Sequence, residues 1–273
     1  MEGGLTEMAK LISAAGMNAL VTGASSGIGR GLALRLAHAG ARVALVARRV
    51  RELEALAEEI TRAGAQALVL PCDVSDRAQA MAAAERALEE FGTIDILVNN
   101  AGYGHHRTFL RWPLEDMERM MRVNYFGALY FTKALLPQMV ERRRGWLVFL
   151  ASVAGKLAVP DESAYVASKF AMVGLAESLS FELEPAGVHV LNVCPGTIRT
   201  EFFDREALER MPNIAKRLMV DPEPLIDAIM QALRRGRHEL VFPRFIGLGS
   251  IVRAIAPRFM RWSVRRTVHA ADP

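Results

Sequence analysis

The amino-acid sequence predicts an α/β fold: a doubly wound parallel sheet in a single domain, helices on both faces, and a C-terminal helical extension. Three observations carry this. Short β-rich runs alternate with longer helical stretches over most of the 273 residues. The runs show little polar alternation, as strands covered on both faces do. Glycines stand where the helices should stop, supplying the left-handed residue that closes a last turn. Right-handed crossovers then wind such a sheet in both directions from its centre.

In order, Met17–Thr22 is the first strand and Gly27–Ala39 a helix closed by Gly40. Ala41–Ala47, rich in valine, alanine and leucine, is the second strand; Val50–Ala63 is helical and ends at Gly64. Ala67–Pro71 is a strand, Arg77–Phe91 a helix before Gly92, and Ile94–Val98 a strand. A long helical region from about Leu114 to Arg143 precedes the strand Trp146–Leu150, and a helix from about Ala164 to Glu184 precedes the strand Val188–Val193. Glu239–Phe242 is the last strand. Between them, Thr200–Pro224 sets Pro212, Pro222 and Pro224 among Phe202, Phe203, Leu208 and Met211, a pattern expected of a mobile cover over an apolar site. The chain thus divides into an N-terminal lead (1–16), a main α/β domain (17–243) with its cover (200–224), and a C-terminal extension (244–273).

Composition limits the function classes. With 51% hydrophobic and 23% charged residues, the chain has the balance of a large packed interior, which excludes disorder, collagen and coiled coil. Two cysteines, Cys72 and Cys194, make no disulfide scaffold and suit a reducing compartment. No window of 18 residues is apolar and uncharged, and Glu2, Glu7 and Lys10 ahead of the first strand argue against a signal peptide. The net charge of +4 is uneven: from Gly236 onward seven arginines face Glu239 and Asp272, a surplus of five that leaves the first 235 residues at −1. The body carries no basic recognition element, so nucleic acid is not an expected partner.

The first strand runs into Gly23-Ala24-Ser25-Ser26-Gly27-Ile28-Gly29 and then a helix. Glycines at such a turn let backbone approach a pyrophosphate, which the free N–H groups of the helix start then bind. The spacing differs from G-x-G-x-x-G, and taken alone it also suits a tight turn packing a helix on a sheet. With the strand before it and the helix after it, the motif makes the fold Rossmann-like. At the end of the second strand, where NAD-binding chains carry an acid, stand Arg48 and Arg49; arginine attracts a 2′-phosphate and so points to NADP. Tyr165 and Lys169 lie four residues apart on one helix face, where the cation can lower the phenol pKa. A tyrosine so tuned exchanges the proton of a carbonyl/alcohol pair. Ser152, just past a strand end, is placed to hold a developing oxyanion.

With these go Cys72-Asp73-Val74, Asn99-Asn100-Ala101-Gly102, Asn124 and Pro195-Gly196-Thr197. Together, over about residues 17–200, the chain resembles the short-chain dehydrogenase/reductase family. The resemblance implies that Tyr165 is the proton donor, that Ser152 polarises the carbonyl, and that Lys169 holds the nicotinamide ribose. It implies that Asn124 helps position a water relaying protons through Lys169. Asp73 and Val74 would face the adenine, Asn99, Asn100, Ala101 and Gly102 the adenosine side, and Pro195, Gly196 and Thr197 the nicotinamide. No metal is required.

The remaining signals read more plainly. His105-His106 belong to a substrate loop or the surface, without Cys, Asp or Glu at ligand spacing. Arg142-Arg143-Arg144 complements a helix C-terminus, and Cys194 is a small buried hydrophobe. In the tail Leu248, Ile251, Val252, Ile255, Phe259 and Trp262 recur at three- and four-residue steps, with arginines largely elsewhere. This basic amphipathic segment, interrupted at Pro257, either packs on its own body or a second subunit and helps cap the site, or lies on an anionic membrane surface.

The function expected is an NADP(H)-dependent oxidoreductase acting on CH–OH donors, interconverting a fairly apolar ketone or aldehyde and its alcohol. A non-catalytic NADP(H)-binding sensor or scaffold is the alternative, opposed by the intact Ser152, Tyr165 and Lys169; an epimerase or dehydratase on the same fold is third. Expected partners are the small-molecule substrate and further copies of the chain, as a dimer or tetramer. The expected location is the cytoplasm, with the inner face of a membrane as the alternative the tail offers.

Overall fold

The computed structural model describes residues 14–202 and 216–265. Seven parallel strands form one sheet: β1 (Asn18–Thr22), β2 (Arg42–Ala47), β3 (Ala67–Pro71), β4 (Ile96–Asn99), β5 (Gly145–Leu150), β6 (Val188–Pro195) and β7 (Glu239–Phe242). Their order is β3-β2-β1-β4-β5-β6-β7, so the winding reverses between β1 and β4, where Leu20 pairs with Leu97 and Val21 with Val98. Such a reversal opens a crevice at the carboxyl ends of the two strands. Every residue of β1, β5 and β6 is buried, which explains the missing polar alternation.

The helices are α1 (Gly27–His38), α2 (Val50–Arg62), α3 (Arg77–Phe91), α4 (Leu114–Met121), α5 (Gly127–Glu141), α6 (Ser163–Leu183), α7 (Pro222–Arg234), α8 (Gly247–Ile255) and α9 (Pro257–Arg265). One core cluster packs Leu32 and Leu36 of α1, Leu53 and Leu56 of α2, and Ile229 of α7 against one sheet face. The other packs Ala84 of α3, Phe131 and Leu135 of α5, and Met172 of α6 against the opposite face. The alanine-rich α3 starts cleanly because the Asp76 carboxylate accepts hydrogen bonds from the N–H groups of Ala78 and Gln79, at 2.8 and 3.1 Å.

Three expectations are corrected. The single long helix over Leu114–Arg143 is interrupted: Arg122–Phe126 is a π-helical turn joining α4 to α5, the kind of local widening found at functional sites. Pro222 and Pro224 do not break a cover segment but open α7 behind Asp221, where a missing N–H costs nothing. Residues 203–215 of that cover, and the lead up to residue 13, lie outside the described residues. Arg142 does more than complement a helix end, since it pairs with the buried Asp95 at 2.9 Å and Asp95 in turn accepts from the Asn18 N–H, also at 2.9 Å.

In the tail, much of the apolar surface of the two helices faces outward. Val252, Met260 and Val264 are half-buried, while Leu248, Ile251, Ile255, Phe259 and Trp262 are exposed. Arg253 ties α8 to the body, its guanidinium 5.2 Å from the Phe170 ring centroid and donating to the Lys156 carbonyl. Among the described residues, no helix is long and apolar enough to cross a membrane.

Candidate active site

At the crevice, β1 ends in a turn that only glycine fits. A Cβ on Gly23, whose φ is +66°, would lie 2.8 Å from Asn100 Nδ2 and 2.9 Å from Ala101 Cα. One on Gly29 would lie 2.3 Å from Asn100 Nδ2 and 2.4 Å from the Gly23 carbonyl oxygen. Asn100 holds the turn from the β4 side, donating through Nδ2 to the carbonyls of Thr22 (2.9 Å) and Gly23 (3.2 Å). The N–H groups of Asn100 and Ala101 both donate to Thr22 Oγ1, at 3.0 and 3.1 Å. The result is a backbone-lined cradle opening into a cavity of about 660 Å³ that Ser25, Ser26, Gly27 and Ile28 border on one side and Ala101 and Gly102 on the other. A pyrophosphate fits such a cradle because no side chain fills it. Gly29 does not border the cavity; its part is the close approach of α1 to Asn100.

The outer end of this cavity is where Arg48, Arg49, Asp73 and Val74 meet. Arg49 donates to Ser25 Oγ, at 3.1 and 3.2 Å, and pairs with Glu201 at 3.3 Å; Arg48 is exposed beside it. Burial pushes the Asp73 carboxyl up, but two Ser75 hydrogen bonds and the charges of Arg48 and Arg119 outweigh it and hold the group below its ordinary value. Arg119, on α4, is a cationic neighbour that no local sequence pattern marks. Asn99 is a further correction: it is buried, donates to Thr132 Oγ1 at 3.0 Å, and does not reach the cavity.

Past Gly102 the cavity continues into a second, apolar one of about 380 Å³ that shares Asn100, Gly102 and Phe202 with the first. Ser152, Tyr165 and Lys169 meet there with Pro195, Gly196 and Thr197. Ser152 is fixed by its own turn, its Oγ accepting from the Ala154 N–H at 3.0 Å and donating to the Pro195 carbonyl at 3.5 Å, and it is near enough to the Tyr165 phenol to pull its pKa down. Lys169 is buried, donates to the Leu150 carbonyl at 2.7 Å and places Nζ 5.7 Å from the Tyr165 ring centroid. Burial lowers the Lys169 ammonium to about 8, against a smaller upward push from Cys194. Burial also raises the phenol well above its ordinary value, outweighing the downward pull of Ser152. The expectation that the cation lowers the tyrosine pKa is therefore reversed in the protein alone: the low dielectric that would strengthen the attraction also weakens each charge. Cys194 is buried with its thiol pushed up to about 12, which makes it inert.

Asn124 lies close to the site, its Oδ1 and the Lys169 Nζ both near Gly102, at 3.1 and 3.6 Å from where a Cβ would stand. Fully buried in the π turn, it accepts from the Tyr103 N–H and donates to the Tyr103 carbonyl, both at 2.9 Å, and donates to Ser168 Oγ at 3.0 Å. Ser168 donates in turn to the Tyr165 carbonyl at 2.7 Å. The side chain borders neither cavity; it ties the loop after β4 to α6, which makes it a positioning residue. Phe202, at the start of the cover, packs edge-on against Tyr165 with ring centroids 5.7 Å apart. Ile246 and Val264 bring the C-terminal extension into the wall, as in the reading of the tail that has it cap the site. His106 borders the same cavity and pairs with Glu162 at 3.0 Å. Among the described residues, no group of three or more His, Cys, Asp or Glu is placed to hold a metal ion.

A phosphate-sized cradle at the sheet's reversal point that continues into an apolar chamber with a hydroxyl, a phenol and an ammonium is the layout of an oxidoreductase working with a nicotinamide dinucleotide. Comparison with known proteins narrows that class. The family model for short chain dehydrogenases matches residues 17–210, and the chain belongs to the short-chain dehydrogenase/reductase family. It is 39% identical over 219 residues to the oxidoreductase UcpA of Salmonella typhimurium, covering 80% of each protein. It is also 39% identical over 189 residues to the human dehydrogenase/reductase SDR family member 7, covering 67% of this chain and 56% of that protein. A short-chain type dehydrogenase/reductase from Mycobacterium marinum superposes with a TM-score of 0.76 at 32% identity, over 87% of this chain and 96% of that one.

Proposed function

We propose that the protein is an NADP(H)-dependent oxidoreductase that interconverts a carbonyl and an alcohol on a fairly apolar substrate, with Tyr165 as general acid and base. The observation that carries this is the meeting of Ser152, Tyr165 and Lys169 at the point where the glycine-lined cavity opens into the apolar one. The cofactor supplies the hydride chemistry. Ser152 orients the carbonyl oxygen beside the phenol, and Tyr165 gives that oxygen its proton in reduction or takes it in oxidation. Lys169, buried beside the phenol, would hold the ribose hydroxyls of a bound cofactor, and Asn124 keeps the loop and α6 in register. Exposed Arg48, with Arg49 beside it, supports NADP over NAD, because the strand end carries these arginines where a ribose-binding acid would stand.

The substrate's apolar character rests on Leu157, Val159, Phe202, Ile246 and Val264 in the chamber wall. Phe181 on α6 is 70% exposed, an outward aromatic that a second copy in a homo-oligomer would cover. The outer face of α8 and α9, with exposed Phe259 and Trp262 among Arg258, Arg261 and Arg265, is the candidate for contact with an anionic membrane surface. NADPH oxidation with a panel of ketones tests the catalytic assignment: Tyr165→Phe should lower kcat by at least about 100-fold, and equal rates in wild type and variant would overturn it.

A further inference from the structure

The apolar chamber is bordered by ionisable groups that this chemistry leaves unused, among them His106, Asp161 and Glu162. His106, from the loop after β4, sets Nδ1 3.0 Å from Glu162 Oε1, and the two side chains are only 9% and 16% exposed. Both border the chamber. Glu162 stands immediately before α6 and three residues before Tyr165, a separation that brings side chains together along a helix. It is close enough for its charge to act on the phenol.

The loops that carry the pair are joined a second time, the Arg107 N–H donating to the Asp161 carbonyl at 2.7 Å. Asp161, which precedes Glu162, has a φ of +61°. A non-glycine residue in the left-handed region carries a small backbone cost and tends to persist where the surroundings hold it for function. Burial and the neighbouring Asp161 push Glu162 up to about 7, and whether or not the carboxyl carries a proton, oxygen lone pairs remain. One imidazole contact uses one of about four acceptor positions on a carboxylate. A desolvated acceptor in an apolar chamber gains most from a ligand that brings a donor to it.

We propose that Glu162, oriented by His106, is a specificity subsite that accepts a hydrogen bond from a hydroxyl group on the substrate, within about two or three carbons of the reacting carbon. The substrate class is then an apolar hydroxyketone or hydroxyaldehyde and the corresponding diol, not a simple ketone. This deepens the carbonyl/alcohol reading and rests on it for the identity of the reacting carbon.

The test is calorimetric titration of the full chain, without turnover, with 1,2-octanediol and with 2-octanol, in wild type, Glu162→Leu and His106→Ala, each checked for a cooperative melt. Wild type should bind the diol about 10- to 100-fold more tightly. Glu162→Leu, which removes both acceptor oxygens, should bring the two ligands to within about threefold, and His106→Ala, which leaves the carboxyl without its orienting partner, should shrink the preference. Equal binding of the two ligands by wild type would overturn the proposal whether or not a variant folds, and so would a diol preference that survives Glu162→Leu. Loss of the catalytic reading would appear elsewhere, as NADPH oxidation indifferent to Tyr165→Phe, with the diol preference untouched.

Discussion

Lys169 offers a test that needs neither substrate nor cofactor. Its ammonium is buried and lowered from 10.5 to about 8, so below pH 8 the fold carries a desolvated charge that the unfolded chain would leave in water. A shift of that size corresponds to about 3 kcal/mol at pH 7. The sign follows from proton counting: between pH 8 and 10.5 the unfolded chain binds more protons at this site than the folded one. The site's contribution to stability therefore rises with pH through that window and is lost as pH falls through about 8. Lys169→Met removes the titration but also the donor to the Leu150 carbonyl, a loss of about 1–3 kcal/mol that does not depend on pH. Comparing two pH values cancels the constant part. Urea denaturation of wild type and Lys169→Met at pH 7 and pH 10 should show the difference in unfolding free energy moving by about 2–3 kcal/mol in favour of wild type at the higher pH. A difference that stays constant within about 0.5 kcal/mol would mean that Lys169 is not held at a lowered pKa, and the account of the buried tyrosine–lysine pair would fall with it.

Three further outcomes are expected. Arg48→Asp should weaken NADPH binding by about 10- to 100-fold while leaving NADH binding within a few-fold; an unchanged preference in fluorescence titrations would remove Arg48 from the phosphate site. Gly29→Ala places a methyl group 2.4 Å from the Gly23 carbonyl oxygen and should cost about 2–3 kcal/mol of stability together with dinucleotide binding; a wild-type Tm and Kd would show that the turn yields. Co-sedimentation with phosphatidylglycerol vesicles should retain wild type at low salt and lose the Phe259→Ser, Trp262→Ser double variant; wild type left in the supernatant would restrict the tail to protein contacts.

What the sequence revealed was local chemistry. The turn after β1, the arginines after β2 and the spacing from Tyr165 to Lys169 all lie within a few residues, where backbone geometry alone fixes what faces what. The hidden features depend on contacts between distant segments. The π turn at Asn124 exists alongside bonds to Tyr103 and Ser168, and hydrophobic periodicity cannot report an extra residue absorbed by a tertiary bond. Glu162 and His106 lie on loops whose meeting depends on the arrangement of β4, β5 and α6. Pro222 and Pro224 are a different case: Asp221 before them and the apolar repeat after them are a local helix-start pattern, and the prolines read as breakers only when taken without it.

The chamber has walls of two kinds. Its floor, at Leu150, Ala151 and Ser152, continues into β5, and Leu150 and Ala151 belong to the two clusters on which the sheet depends. Its opposite wall, at Ile246 and Val264, comes from a segment that contributes no residue to any core cluster among the described residues. Substitutions in the floor alter folding and catalysis together, whereas substitutions in the tail change the shape of the chamber at small cost to the fold. Variation in the C-terminal helices can therefore reshape the chamber at less cost to the fold than variation in the floor beneath Ser152.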